Sequence, residues 1–307
     1  MGNREGDLLA KRAGDHWIKQ DYSQLSEVET WVSSLEIERI VPGCTDTSIE
    51  IALQLFAMGN RGDTIDSYQK LANKSMFRQI CKELDLPAPR VFDAHDFPME
   101  GKFICKPTDT FSGRGISVFD GQSRFELEAA MSIAASESPS SSLVIESFIE
   151  GQLFSCSAFV EKGKILKSFY VLEGSSTNPY AVDTSYLVDW IPKEASLHLE
   201  NGLNRLCQAL ELADGLLHTQ FILSENGPSI VEVSRRCPGD LYPLLIEYSS
   251  GFEYAAQYAS YFLGEHYSAT TGQAKNIVRH TVTSDTTGVF GGLRFKKTLG
   301  VCAMFPI

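Results

Sequence analysis

The 307-residue chain has no Cys-x-x-Cys pair, no apolar run approaching membrane-spanning length and no excess of positive charge. Each absence closes off a class of function. Its 7 cysteines are odd in number and scattered, so they read as reduced thiols in a cytoplasmic protein, not as a disulfide frame or zinc site. The 6 histidines are dispersed, with no pair at metal-ligand spacing. With 27 Lys and Arg against 39 Asp and Glu, the net charge of −12 argues against nucleic acid or an anionic membrane as the main partner. The opening MGNREGDLLAKRAGDHW is charged and lacks the apolar core of a signal peptide. There is no internal repeat, and low complexity is confined to a serine cluster near 138–142. An acidic protein that handles phosphate needs local cations, Mg2+ among them, to offset its own field.

What is present fits an ordinary globular protein. The length allows two or three lobes around a sizeable core. Helical and strand patterns alternate from the start, which favours α/β or α+β architecture. SEVETWVSSLEIERIVPG suggests a helix and then a short buried strand, Arg39-Ile40-Val41. TDTSIEIALQLFAMG opens on a Thr/Asp cap and continues as an amphipathic helix. SYQKLANKSMFRQICKELDLPAPRVF has helical spacing through Leu71, Ile80 and Leu84 and stops at Leu86-Pro87-Ala88-Pro89. Lys74 and Arg78, four apart, share a face of it. FELEAAMSIAASESPSSS reads as a helix running into a turn. LVIESFIEGQLFSCSAFVEKGKILKSFYVL gives two alternating strands hinged at Lys162-Gly163. EGSSTNPYAVDTSYLVDWIP is polar and Pro-bounded, hence expected to be a long loop of functional kind. LHLENGLNRLCQALELADG and GFEYAAQYASYFLG read as helices, and the tail beyond them as β-rich.

Residues 104–118, ICKPTDTFSGRGISV, place Lys106 at the end of one apolar run and Ser-Gly-Arg-Gly before the next. The runs look like paired strands, yet the connection is longer than a hairpin needs. Its glycines, hydroxyls and arginine suit an anion, because unhindered backbone N–H groups and a guanidinium are what a phosphate requires. Further on, HTQFIL and SIVEVS flank Ser224-Glu225-Asn226-Gly227-Pro228. Pro228 disfavours a two-residue turn, so a three- or five-residue loop centred on Asn226 is expected, with Gly227 left-handed. That register sets Gln220 opposite Glu232, with Glu232, Ser234 and Arg236 on one face by the strand's period of two. Hard oxygen ligands suit Mg2+, and the arginine suits a phosphate bridging to it.

In order from about residue 40 to 265, the segments VPGCTD, NKSMFRQICKELDLPAPRV, FICKPTDTFSGRGISVF, LVIESFIEGQLFSCSAFV, ADGLLHTQFIL and SIVEVSRRCPGD resemble the ATP-grasp superfamily of carboxylate–amine ligases. The resemblance implies two α+β lobes clasping ATP, preceded by a reduced Rossmann-like lobe. The expected division is 1–72 for that reduced lobe, 73–145 and 146–265 for the two ATP-grasp subdomains, and 266–307 for the tail. By the same resemblance Lys74 and Lys106 grip nucleotide phosphates, Lys106 also lying near the adenine. Ser112, Gly113, Arg114 and Gly115 form the phosphate flap, and Glu146, Ser147, Phe148 and Ile149 the hinge that meets the adenine edge. Gln220, Glu232 and Ser234 hold Mg2+, with Mn2+ as a substitute, and Arg236 steadies an acyl phosphate. With Arg114 and Lys106, Arg236 makes up the catalytic set. The substrate is expected near Arg235, Gly239 and Asp240, with Arg279 and Arg294 as further candidates for gripping its carboxylate.

Three departures stand out. Leu153 occupies the position where the family often has a ribose-binding Glu, and Ser234 replaces a common Asn ligand. The opening GNREGDLLAKRAGDHWIKQDYSQ resembles the part that follows the family's first strand–turn–helix unit. A reduced lobe leaves a sheet edge open, which a second copy in a homodimer would cover. The expected activity is ATP-dependent joining of a small carboxylate to an amine. The alternatives are a ligase of nucleotide or one-carbon metabolism, a nucleotide-binding protein with weakened turnover, and a kinase.

Overall fold

The computed structural model describes residues 1–2, 16–56, 62–110, 113–176, 178–264, 267–268, 270–282, 287–289, 291–292 and 300. The chain divides into two compact units, Arg39–Thr281 and a smaller one made of Met1–Glu38 with Val282–Ile307. In the smaller unit the described elements are helix α1 (Leu25–Ser34) and a single bridge between Gly2 and Lys19.

The larger unit opens with helices α2 (Asp46–Phe56), α3 (Ile65–Ala72) and α4 (Lys74–Glu83). The expected strand Arg39-Ile40-Val41 is not formed: these residues carry no strand pairing, and Val41 is 40% exposed, so its apolar side chain is not drawn into a sheet. The expected single helix through Lys74 is two helices broken at Asn73. Asn73 Oδ1 accepts from Ser75 N and Met76 N, capping α4, and Lys74 becomes that helix's first residue.

A four-stranded antiparallel sheet follows, in order β1 (Val91–Phe92), β4 (Leu143–Ser147), β2 (Lys102–Pro107), β3 (Ser117–Asp120). Strand β4 runs through the boundary expected between residues 145 and 146. Helix α5 (Arg124–Glu137) covers one face, with Leu127, Ala130 and Ala134 against Phe97, Phe103 and Phe119. A larger antiparallel sheet has the order β10 (Val278–His280), β7 (Thr184–Val188), β6 (Lys164–Gly174), β5 (Gln152–Glu161), β8 (Gly215–Ser224), β9 (Gly227–Ser234). Its β5–β6 turn is the two residues Lys162 and Gly163, with φ of +50° and +71°, as a type I′ hairpin requires.

One face of this sheet packs on helix α6 (Lys193–Ala209), whose Leu199, Leu203 and Leu206 are fully buried. The other packs on helices α7 (Tyr242–Ser250) and α8 (Tyr254–Leu263), through Tyr242, Ile246 and Tyr254. Strand β7 lies inside the stretch expected to be loop. Its Thr-Ser-Tyr-Leu-Val has no clean period of two, and it is a strand because β6 and β10 flank it. Among the described residues of the tail, β10 is the strand present.

Candidate functional site

The β8–β9 hairpin carries the oxygen-bearing residues. Its loop is the two residues Glu225-Asn226, with Ser224 opposite Gly227, not the longer loop expected. Pro228 is accommodated because the Ile222–Ser229 and Leu223–Pro228 pairs sit at the hairpin's tip and Gly227 takes φ +101°. A bulge between Gln220 and Phe221 then shifts the register by one residue, so that Gln220 faces Glu232 and His218 faces Ser234. The site register is therefore the expected one, reached by a different turn. Glu232 is exposed, and among the described residues no hydrogen bond or ion pair engages its carboxylate. His218 lies beneath, its ring 5.2 Å from that of Tyr242. Burial, with Arg236 nearby, pushes the imidazole down to about 3, so it is neutral at ordinary pH.

The small sheet and α4 supply cations. Lys106, at the end of β2, ion-pairs through Nζ with Glu146 Oε2 at 2.7 Å, and Arg78 Nε takes Glu146 Oε1 at 2.7 Å. Both oxygens of the expected hinge glutamate are thus engaged, and its side chain is wholly buried. Ser147 N and Phe148 N donate to Arg90 O and Lys102 O, so Ile149 is the first hinge residue past the sheet's own bonding. Arg78 Nη2 reaches across to Val231 O, the carbonyl of the bulged residue in β9. Lys74 donates from Nζ to Thr110 O at 2.9 Å. Burial holds its ammonium below the ordinary lysine value, with Lys106 adding and Glu232 opposing. A phosphate would relieve that cost.

The two adjacent arginines point to opposite sides, as the strand period requires. Arg236 is clamped on Asp46, with Nε–Oδ1 at 2.7 Å and Nη2–Oδ2 at 3.0 Å, and remains partly open to solvent. Burial works against its charge, but Asp46 and Glu232 outweigh it and keep the guanidinium protonated. Arg235 is buried and donates to Asp63 Oδ2 and to the carbonyls of Leu216 and Ala213. Its guanidinium is a structural tie and is not free to grip a substrate carboxylate. Cys237, next to Arg236, is buried, and the Cys44 thiol and burial both push its thiol up.

Around the flap, Gly113 and Gly115 have φ of +70° and +72°. A Cβ on Gly113 would lie 2.5 Å from Tyr180 Cβ, so the flap rests on the segment before β7. Arg114 is exposed, and Ser112 and Arg294 lie outside the described residues. Gly239 and Asp240 form the approach to α7, where Asp240 Oδ2 is 3.5 Å from Arg279 Nη1. Arg279 Nη2 also donates to Ser185 Oγ at 2.8 Å.

Sequence reasoning missed three groups: Arg78 as the link between sheets, Asp46 as the clamp on Arg236, and Glu173. Glu173, on β6, accepts from Gln220 Nε2 at 2.6 Å. Burial pushes its carboxyl up to about 7, against hydrogen bonds from Ser155 and Gln220. The strand alternation of KILKSFYVLEG was the one signal available for it.

Lys74, Thr110, Glu232, Ser234, Arg236 and Asp46 line one cleft. Its enclosed volume of about 110 Å³ suits phosphate-sized groups rather than a whole nucleotide. Among the described residues no three His, Cys, Asp or Glu side chains converge as a metal site. The oxygens offered are one carboxylate, one amide and one hydroxyl. That set fits Mg2+, which keeps waters and phosphate oxygens in its shell, and does not fit an all-protein cage.

Residues 99–242 match the ATP-grasp domain family; Lys106, Glu146, Gln220, Glu232 and Arg236 fall within the match and Lys74 before it. Among solved structures, the chain is similar to phosphoribosylglycinamide synthetase from Anaerococcus prevotii at 20% identity, covering 83% of this chain and 66% of that one, with a TM-score of 0.67. It is similar to L-amino acid ligase from Bacillus licheniformis at 18% identity, covering 80% and 61%, with a TM-score of 0.64. N5-carboxyaminoimidazole synthetase from Staphylococcus aureus, complexed with ADP, shares 12% identity over 90% of this chain and 73% of that one, with a TM-score of 0.71. The chain spans under two thirds of the first two, 66% and 61% of their lengths. At such identities the likeness is one of fold. Residues 99–242 thus match an ATP-grasp domain, and the two sheets carry the ATP-grasp fold.

Proposed function

We propose that the chain is an ATP- and Mg2+-dependent ligase that activates a small carboxylate as an acyl phosphate, releasing ADP, and joins it to an amine that displaces the phosphate. The observation that carries this reading is the meeting of Lys74, Glu232 and Arg236 on one cleft. Lys74 presents a half-buried ammonium to phosphate oxygens, and Lys106 adds charge from β2. Gln220, Glu232 and Ser234 would hold Mg2+ (or Mn2+), which when bound neutralises charge on the transferring phosphoryl group. Arg236, fixed by Asp46, faces the same space and stabilises the acyl phosphate oxygens. Gly113, Arg114 and Gly115 close over the phosphates, and Ser147 to Ile149 border the base. The acid and amine enter between Arg236 and the Gly239-Asp240 approach to α7. The amino-acid-sized substrate assigned here is in keeping with the similarity to an L-amino acid ligase, while two neighbours with purine-pathway names support the nucleotide-metabolism alternative.

The test is ADP release with Mg2+ and pools of amino acids. Wild type should turn over with some pool, and Arg236→Ala should lose about 100- to 1,000-fold in kcat. A binding module with weakened turnover is favoured by Leu153 and Ser234. Nucleotide binding without acid-dependent ADP release would establish it, and a stable phosphorylated acid without amide would establish a kinase. Among the described residues no helix is long and apolar enough to cross a membrane, and a cytoplasmic homodimer acting on small molecules is the assembly proposed. Sedimentation of the full chain tests the subunit number.

A further inference from the structure

The large sheet holds one buried carboxylate that the scheme above leaves without a task. Glu173 is 8% exposed and receives Gln220 Nε2 at 2.6 Å. Ser155 lies on the same side of the sheet, its Oγ 2.9 Å from the buried Tyr242 hydroxyl. Ser155 pairs with Gln220 across β5 and β8, and Gln220 pairs with Glu232 across β8 and β9. The row therefore runs from β6 to the exposed carboxylate of β9 on one side of the sheet.

Glutamine has two amide ends of similar size and opposite polarity, and a metal ion accepts only the oxygen. A carboxylate ligand needs no such choice, because both of its ends are oxygen. The Glu173 carboxyl oxygen behind the amide accepts from its NH2 end, which leaves the carbonyl oxygen for the other side. We infer that Glu173 is a positioning residue that fixes the Gln220 amide with its oxygen toward the divalent-cation site shared with Glu232. This inference rests on the reading of Gln220 and Glu232 as cation ligands given under Proposed function. It adds a reason why an amide serves at position 220: the acceptor behind it supplies the orientation that the side chain lacks.

The test compares four chains: wild type, Glu173→Gln, Gln220→Glu and the double variant. Binding of Mn2+ in the presence of a non-hydrolysable ATP analogue is read by electron paramagnetic resonance, and folding by thermal melting. Glu173→Gln should weaken Mn2+ binding about 10- to 100-fold, because the new amide accepts or donates equally and releases Gln220 to flip. In the Gln220→Glu background the same replacement should not weaken binding, since either end of the ligand is then oxygen and the facing pair of carboxyl groups is relieved. Equal weakening in both backgrounds would mark Glu173 as merely structural and overturn the inference. So would wild-type affinity in Glu173→Gln. If that variant does not melt cooperatively, Glu173→Asp, which keeps an acceptor one methylene short, replaces it in the same comparison. Wild type that binds no Mn2+ with the analogue overturns the cation reading and this inference together. Normal wild-type binding that Glu173→Gln leaves untouched overturns this inference alone.

Discussion

The carboxylate of Glu146 sits between Arg78 and Lys106, each at 2.7 Å, with no exposure to solvent. Removing it leaves two buried cations without their counter-charge, a change that costs about 3–5 kcal/mol. Burial alone would raise its carboxyl, but the two cations outweigh burial and hold it below the ordinary carboxylate value of 4.5. A lowered folded-state value gives stability that is present above that ordinary value and lost as pH falls through the folded one. Glu146→Gln should therefore unfold at lower denaturant at neutral pH and show a shallower loss below pH 4.5, measured by urea unfolding across pH. The arginine pair separates stability from chemistry at the same scale. Arg235→Met should lower the melting temperature strongly, since it strands buried Asp63, while Arg236→Met should melt near wild type and lose ADP release. Strand parity already placed Arg236 with Glu232 and Arg235 opposite; the sequence reading that gave Arg235 to the substrate overlooked its own period. Asp46 and Glu173 were out of reach for another reason. Their partners lie 190 and 47 positions away, and no local pattern encodes such a pairing.

At the scale of elements, the legible features were those with a strong period and an unambiguous turn. The Lys162-Gly163 hairpin, the β2–β3 pair and the helices of residues 124–137 and 193–209 belong here. Strand β7 and the break at Asn73 were not legible, because a short edge-flanked strand and a side-chain cap depend on neighbours that sequence spacing does not reveal. Helix α6 carries its burial on one stripe, so Leu203→Ala should cost about 2–5 kcal/mol with nucleotide affinity unchanged, by melting and by calorimetric titration. Gly113→Ala tests the flap. Its left-handed φ and the close approach to Tyr180 mean that a methyl must push the segments apart. The expected result is about tenfold weaker binding of the ATP analogue together with a stability loss of about 1–2 kcal/mol from the strained backbone.

For the whole molecule, a ligand that binds only the folded chain stabilises it by mass action. An ATP analogue with Mg2+ at about 100 times its dissociation constant should add about 2.7 kcal/mol and raise the melting temperature, and EDTA should cancel most of the gain. Equal stabilisation with and without the cation would contradict the oxygen set on β8 and β9.

Arg78 has one further bearing on how this molecule moves. Its guanidinium grips Glu146 of the small sheet with one nitrogen and the Val231 carbonyl of the large sheet with another. A swing of one sheet against the other that preserves both grips has its axle at that side chain. Travel is then least beside that axle, where Glu146 also holds Lys106, and grows with distance from it, as at Gly113 against Tyr180. Such a jaw would admit cargo from the flap side and keep its charged floor in register throughout the stroke.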